Sequence, residues 1–506
     1  MTTSLFPAQH IEAWVYKIQK MAQEYKNKQE ISTKANTILN KTLREVLPQE
    51  DIKIIESKIG EYQLRRKGLL GNMIETYFFD IDPGNNSAPD FLTAEIELKT
   101  TPIKKNSKND YSSKERLVFS MIDYKLVINE IWERSSFLKK NKSLLLMFYL
   151  WSKEVNLLDY KFKFIHFLDL LEDISAEDVL QIQKDWEFIV EKIKRKEAHL
   201  LSEADTYYLG ACTKAANSSV VREQAMSHIP AKPRAFCFKQ QYINYLIQTK
   251  LLGKKIEKGS ILNKTHSVLT IDEVVKTKFQ PFIGKTDKEI LKQLGQKLNK
   301  NSKNYKRTIV NRILGITSNK IEELEKANIT LKTVTLEYTG TLKESISFPA
   351  FDYKDLVNEI WYDEKSETMA DFHIQLETKK FLFVVFQKQK NSEDIILRKI
   401  FFWNFPMEEI DKAKKVWKKT QELISEGSIV KEIKKKENGE ERWFTHFPGS
   451  SYNGVVHVRP HGANKKDVTA LPKPDELTGV KEYTKQCFWL NAKYVQKAIE
   501  NAKDQY

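Results

Sequence analysis

Three cysteines in 506 residues, Cys212, Cys237 and Cys487, are too few and too far apart for a disulfide framework, and no Cys-x-x-Cys pair marks a zinc knuckle. The nine histidines are scattered: no His-Glu-x-x-His helix occurs, and His457 and His461 flank an arginine and a proline instead of completing a metal set. His166 lies in an alternating apolar stretch and reads as a core or surface histidine. Glycine-rich phosphate loops are absent, so nucleotide hydrolysis has no support. No apolar run is long enough to span a bilayer, the longest being residues 144–151, and the N-terminus lacks the charged-then-apolar layout of a secretion signal. A cytoplasmic protein with no membrane anchor is expected.

Charge, by contrast, is abundant. Charged residues make up 30% of the chain and the net charge is +15, which points to a polyanionic partner, either nucleic acid or an anionic membrane surface. The apolar fraction of 41% suffices for ordinary cores, and the length favours two or more domains.

One short run combines residue types and spacing into chemistry: Pro89-Asp90 followed by Glu97-Leu98-Lys99. Read as a strand, the segment from Ala94 puts Glu95, Glu97, Lys99 and Thr101 on one face, and Ala94, Ile96 and Leu98 on the other against a core. Glu97 and Lys99 then stand one pleat apart, roughly 6–7 Å along the strand. A turn at residues 84–89 brings Asp90 to the same end of the sheet. Two carboxylates, Asp90 and Glu97, supply hard oxygen ligands for Mg²⁺, and a nearby ammonium orients water or neutralises a phosphate. This is the pattern of the PD...D/ExK nucleases; alone, the run equally describes an edge strand with solvated charges.

Upstream, residues 11–25 carry Ile11, Trp14, Val15, Ile18 and Met21 on one helical face, and residues 32–59 continue the helical period. Residues 68–79 place Leu69, Leu70, Met73 and Ile74 on an apolar face with Glu75 beside it, a third acid delivered towards the strand. Downstream, residues 104–116 read as a basic loop able to track phosphates or as a solvated connection, and residues 124–132 as a short amphipathic helix. Lys139, Lys140 and Lys142 stand at the mouth of the apolar strand from Leu144, and a helix begins near Ser175 and runs through Ile182, Trp186, Ile189 and Ile193. Residues 211–219 form a small polar loop in which Lys214 and Asn217 suit phosphate and base edges. A Gly-, Lys- and Ser-rich stretch then marks a boundary between domains 1–252 and 269–506, with residues 253–268 as linker.

The second half repeats the first. Tyr-Lys-Leu-Val-Ile-Asn-Glu-Ile-Trp, ending at Trp132, returns as Tyr-Lys-Asp-Leu-Val-Asn-Glu-Ile-Trp, ending at Trp361. Ile96-Glu97-Leu98-Lys99-Thr100 returns as Ile329-Thr330-Leu331-Lys332-Thr333, Ala216-Asn217 as Ala463-Asn464, and the aromatic strand before Tyr242 as the one before Tyr494. Four colinear matches at a slowly drifting offset argue for two copies of one fold. The copies differ where chemistry would occur. Thr330 replaces Glu97, no acid occurs from Tyr305 to Asn319, and Glu323, spaced from Thr330 as Asp90 is from Glu97, leaves one carboxylate where two are needed. The second copy should bind without cutting, through Lys300, Lys303, Lys306 and Arg307 and through Arg459, His461 and Asn464. Residues 431–442 read as a charged, solvated hairpin turning at Asn438-Gly439.

With these residues in view, the chain resembles MutH-like endonucleases and, over nearly its whole length and including the duplication, the two-module GATC restriction endonucleases of the Sau3AI type. The segments that carry the resemblance are Gly71-Asn72-Met73-Ile74-Glu75, Pro89-Asp90, Ile96-Glu97-Leu98-Lys99-Thr100, Tyr111-Ser112-Ser113-Lys114-Glu115-Arg116-Leu117, Thr213-Lys214-Ala215-Ala216-Asn217 and His457-Val458-Arg459-Pro460. The resemblance implies two tandem α/β domains of the restriction-endonuclease type, each a mixed sheet flanked by helices, and Mg²⁺-dependent cleavage of double-stranded DNA at GATC leaving 5′-phosphate and 3′-hydroxyl ends. It implies Asp90 and Glu97 as metal-holding carboxylates, Lys99 as the water-positioning lysine, Glu75 as the helix acid that orders the site, and Lys140 as a further active-site lysine. The loop from Lys214 to Asn217 and the strand from Arg234 to Lys239 match the family's DNA-reading segment, with Cys212 where such loops often carry arginine. The second module is implied to be a silent copy that engages another GATC and stimulates cleavage, with dimerisation on DNA as a way to bridge two sites. A strand-nicking repair endonuclease is the alternative within the family; a non-catalytic DNA-binding regulator would explain the charge and the repeat but not an acid set intact in one copy alone.

Overall fold

The computed structural model describes residues 24–58, 68–82, 87–106, 110–214, 219–255, 259–262, 269–318, 320–363, 368–435, 437–464 and 466–502. The helix expected at residues 11–25 falls almost wholly outside them, as does Asn217. The chain divides into two compact units, one holding the described residues up to His199 and from Thr206 to 255, the other holding Leu200–Asp205 and the described residues from 259 onward.

The first unit contains β1 (Glu97–Lys105), β2 (Tyr111–Ser113), β3 (Leu117–Met121), β4 (Ser143–Leu150), β5 (Lys161–Asp169), β6 (Leu209–Thr213), β7 (Arg222–Gln224), β8 (Ser227–Ala231) and β9 (Arg234–Phe238). A four-stranded sheet runs β2-β1-β4-β5, with β1 parallel to β4 and both outer pairs antiparallel. β4 is interior, and Leu144, Leu145, Leu146, Met147 and Phe148 are all buried, as a strand covered on both faces requires. Leu98, Leu145, Met147 and Phe162 pack against Leu70, Met73, Ile74 and Phe78 of the preceding helices, fixing those helices over β1. A second sheet runs β3-β9-β6. The helix Ala176–Lys194 starts where expected: Ser175 Oγ accepts the Asp178 amide at 3.3 Å, and Ile182, Trp186, Ile189 and Ile193 are buried.

Three local expectations are corrected. Strand β1 begins at Glu97, because residues 92–95 form a turn with Glu95 at φ 54°, so Glu95 does not share the face of Glu97. Much of the basic segment from 104 is a hairpin, in which Lys105 pairs with Tyr111, and not a loop. Residues 124–132 do not form one helix. Tyr124 is anchored by its hydroxyl to Lys232 O at 2.6 Å and Trp132 is buried, and between these anchors the backbone makes only the short 3₁₀ turn Val127–Asn129, leaving Leu126 and Ile131 exposed.

The second unit rebuilds the same plan. Strand Ile329–Leu336 runs parallel to Lys380–Lys388, which pairs antiparallel with Ile395–Asn404, reproducing β1-β4-β5. Strands Ile346–Ala350, Gln486–Leu490 and Val456–Pro460 reproduce β3-β9-β6. The repeated tyrosine makes the same bond in each copy, Tyr353 hydroxyl to Thr484 O at 2.7 Å, and the repeated tryptophan meets a helix tryptophan in each, Trp132 with Trp186 at 5.9 Å and Trp361 with Trp417 at 5.4 Å between centroids. Strands Val430–Lys435 and Glu441–Thr445 form the charged hairpin expected there, largely exposed.

Candidate active site

The spacing between Asp90 and Glu97 is set by a tight reversal. Phe91 and Ile96 exchange backbone bonds, Phe91 N to Ile96 O at 2.9 Å and Ile96 N to Phe91 O at 3.3 Å, so the four residues between them close a turn and the residues on either side, Asp90 and Glu97, become neighbours. The Asp90 amide donates to Glu97 Oε2 at 3.2 Å, and Asp90 Oδ2 accepts the Leu98 amide at 2.9 Å, which fixes both carboxylates at the start of β1.

Glu75 arrives from the helix above. Leu69–Met73 widens into a π-type turn, Ile74–Phe78, closed by the Phe79 amide on Ile74 O at 2.9 Å. Gly71 lies over β1, its Cβ position 3.4 Å from Thr100 Oγ1 and 3.9 Å from Glu75 Oε1, which sets Glu75 beside the strand. Lys99 Nζ donates to Glu97 Oε1 at 2.5 Å, and Lys140 Nζ stands 3.7 Å from the same oxygen. Lys140 is delivered by the helix Ser136–Asn141, whose Ser135 cap accepts the Leu138 amide at 3.2 Å; Lys139 and Lys142, its rivals in the sequence, are exposed.

Burial first, and then the Asp90 charge, push the Glu75 carboxyl up to about 7, while Lys99 and Lys140 oppose the shift. Glu97 is likewise raised, mainly by burial and against the pull of Lys99. Burial is the first cause of both shifts, and hard carboxylate oxygens withdrawn from water suit a divalent cation of the Mg²⁺ type. Among the described residues no three His, Cys, Asp or Glu side chains form a ready cation cage. A two-carboxylate site completed by water and phosphate oxygens is what Mg²⁺ ordinarily uses.

The expected DNA-reading residues divide. Lys214 follows the end of β6, partly exposed, with its amide on Pro233 O at 2.9 Å. Arg234 and Lys239 are turned inward: Arg234 Nη1 donates to Ala211 O at 2.8 Å, Lys239 Nζ donates to Thr206 O, and their exposures are 3% and 1%. They lie in or directly after β9, the central strand of its sheet, so they serve the unit's interior and do not reach phosphate at the surface. Cys212 is buried against Ala235 and Cys237. In the second unit Arg459 is exposed and lies over the Trp489 ring at 4.4 Å, and the His461 ring meets the same indole edge-on at 5.5 Å. Asn464 is exposed, its Oδ1 accepting the Lys466 amide at 2.8 Å. Glu323 is spent near its own helix, taking the Ile261 amide at 3.1 Å and the Ser260 hydroxyl. Lys300 is paired to Asp394 at 3.0 Å, and Lys306 Nζ donates to Thr335 Oγ1 at 2.5 Å.

Sequence reasoning does not reach Trp489, Lys379 or Asp185. Continuing the repeat through the apolar strands would find Lys379, since Glu97 pairs with Leu144 and Thr330 with Phe381. Nothing local singles out Asp185, whose role comes from a distant segment.

A family model described as DNA mismatch repair enzyme MutH matches residues 79–185, a span that includes Asp90, Glu97, Lys99 and Lys140. The type II restriction enzyme Sau3AI of Staphylococcus aureus is 32% identical over 505 residues, covering 95% of this chain and 99% of that protein.

Proposed function

The chain belongs to the MutH/Sau3AI-type endonuclease family, and from that premise we propose that it cuts both strands of DNA at GATC with Mg²⁺, its second unit binding another GATC as effector. It is a restriction endonuclease with DNA as substrate. No helix among the described residues is long and apolar enough to cross a membrane. The observation that carries the proposal is asymmetry between two copies of one fold: the first unit joins Asp90, Glu97, Lys99 and Lys140 at one strand end, whereas the second has Thr330 at the glutamate position and its spare acid, Glu323, engaged elsewhere.

Asp90 and Glu97 would hold the metal, with Glu75 adding negative potential from the helix. Mg²⁺ bound there supplies Lewis-acid polarisation of the scissile phosphate. Lys99 holds and orients the attacking water, and its bond to Glu97 keeps the ammonium at the strand end. Lys140, on a capped helix, neutralises charge developing on the phosphate. Incubation with unmethylated plasmid in Mg²⁺ tests the assignment. Double-strand cuts at GATC support it, persistent nicks would favour the repair-type reading, and tight binding with no cleavage would overturn it.

Three further outcomes are expected. In metal-free protein the Glu75 carboxyl titrates at about 7, and added Mg²⁺ moves that midpoint down because a cation favours the ionised form. Carboxyl-carbon NMR of the chain, compared with Glu75→Gln to assign the signal, checks this; a midpoint unmoved by Mg²⁺ would place the metal elsewhere. In the second unit, Thr330→Ala should leave cleavage of a one-site plasmid unchanged, whereas Arg459→Ala should reduce the advantage of a two-site plasmid by about fivefold or more. Cleavage rates on the paired plasmids decide both.

A further inference from the structure

The second unit keeps a lysine where the first keeps Lys99, but without the acid that engages it. Lys332 stands two residues beyond Thr330 on the strand Ile329–Leu336, as Lys99 stands two beyond Glu97, and faces Phe383 in the parallel register as Lys99 faces Leu146. Lys379 enters at the neighbouring strand end, immediately before Lys380–Lys388, where the first unit has Lys142. Neither ammonium group has a hydrogen-bond or ion-pair partner among the described residues, and both side chains are partly buried. The acid at the spacing of Asp90, Glu323, is turned onto the amides of residues 261 and 262.

Two withdrawn ammonium groups of like charge are costly. Burial and, for Lys379, the charge of Lys332 press their proton affinities down, which agrees with the geometry. The Cys487 thiol feels the charge of both Arg459 and Lys332, and Arg459 is its cross-strand partner. Lys332 and Lys379 belong to the paired strands Ile329–Leu336 and Lys380–Lys388 and the turn before the latter, Arg459 to the strand beside Cys487, and among the described residues no carboxylate pairs with any of the three. In the first unit the matching lysine is satisfied by Glu97. A lone buried charge destabilises a fold unless something from outside completes it.

We propose that Lys332 and Lys379 form a phosphate-binding site in the second unit, receiving one backbone phosphodiester of an effector duplex at the strand end where the first unit receives the phosphate it cleaves. The proposal rests on the reading that this unit engages DNA. The site is a point-charge clamp on a tetrahedral anion, sequence-independent, with Arg459 and Trp489 beyond it.

The test compares the full chain with Lys332→Met/Lys379→Met and with Lys332→Met alone. Three quantities are read: melting temperature with and without inorganic phosphate, the salt dependence of binding to a GATC duplex in Ca²⁺, and the ratio of plasmid cleavage rates with and without added duplex. The double variant should melt higher than the parent, because two uncompensated charges are gone. Its log–log salt slope should be shallower by about one, as expected when one fewer phosphate is neutralised. The stimulation ratio should fall by at least about fivefold, and inorganic phosphate should raise the melting temperature of the parent alone. A lower melting temperature in the variants overturns the proposal, since the ammonium groups would then have internal partners. An unchanged salt slope overturns it as well, even if inorganic phosphate protects the parent, because the site would then take free phosphate and not DNA backbone. A parent chain that fails to cut in Mg²⁺ yet shows the slope change removes the nuclease assignment and leaves this site standing.

Discussion

Lys99→Ala is expected to lower the single-turnover rate of GATC cleavage by about 10²–10³-fold while leaving duplex affinity within a few fold, the effect of removing one preorganised group that acts on the transition state. Lys99 is held at 2.5 Å from Glu97 Oε1 near the start of β1, so its ammonium reaches the reacting phosphate without a rearrangement of its own. Asp90→Ala should be at least as damaging. Asp90 Oδ2 takes the Leu98 amide at 2.9 Å, so its loss removes a ligand and leaves the amide at the start of β1 without its acceptor, while the backbone amide of residue 90 still holds Glu97 Oε2. Rates at saturating enzyme in Mg²⁺, set beside gel-shift affinities in Ca²⁺, separate chemistry from binding. Cleavage within tenfold of the parent in either variant would reject this strand end as the active site.

Asp185→Ala should be the most destabilising single change in the first unit, costing about 3–5 kcal/mol by removing a buried carboxylate from the groups that depend on it. Asp185 projects from the helix Ala176–Lys194 and accepts the amides of Tyr207 at 3.0 Å, Tyr208 at 2.6 Å and Leu209 at 2.9 Å, with the Gln181 side chain at 3.1 Å. Burial nevertheless pushes its acid up to about 6, against the pull of those amides and of Lys239. Three amides at the entry to β6 would be left unpaired in the interior, and β6 carries the chain to Lys214. The urea midpoint followed by Trp186 fluorescence, on the same helix, reports the loss. Asp185→Asn, which keeps an acceptor, should recover part of it; a cost below about 1 kcal/mol for alanine would mean that water replaces the carboxylate.

The acid pair and its lysine are legible in the sequence because their geometry is local. A seven-residue separation closes through one turn, and two residues along a strand place Glu97 and Lys99 on one side. The turn itself is not legible: alternation extends the strand back through Glu95, since it carries no mark of the left-handed residue that interrupts it. Lys140 cannot be chosen over Lys139 and Lys142 from order alone, because the choice depends on how the helix Ser136–Asn141 meets β1. Arg234 and Lys239 are expected on DNA because basic side chains usually face solvent, and they are buried because β9 is paired on both edges. The single helix expected at residues 124–132 fails for a related reason: two anchors to other elements override a periodic pattern.

The class of chemistry, the duplication and the loss of the glutamate in the second copy are legible from residue order alone, because residue identity and spacing survive in one dimension. Which charges are engaged depends on the folded arrangement. Asp90 and Glu97 meet across a turn, Glu323 is taken up by backbone amides, and Lys332 and Lys379 meet no acid among the described residues, since what an ionised side chain can do is set by the groups that surround it in space.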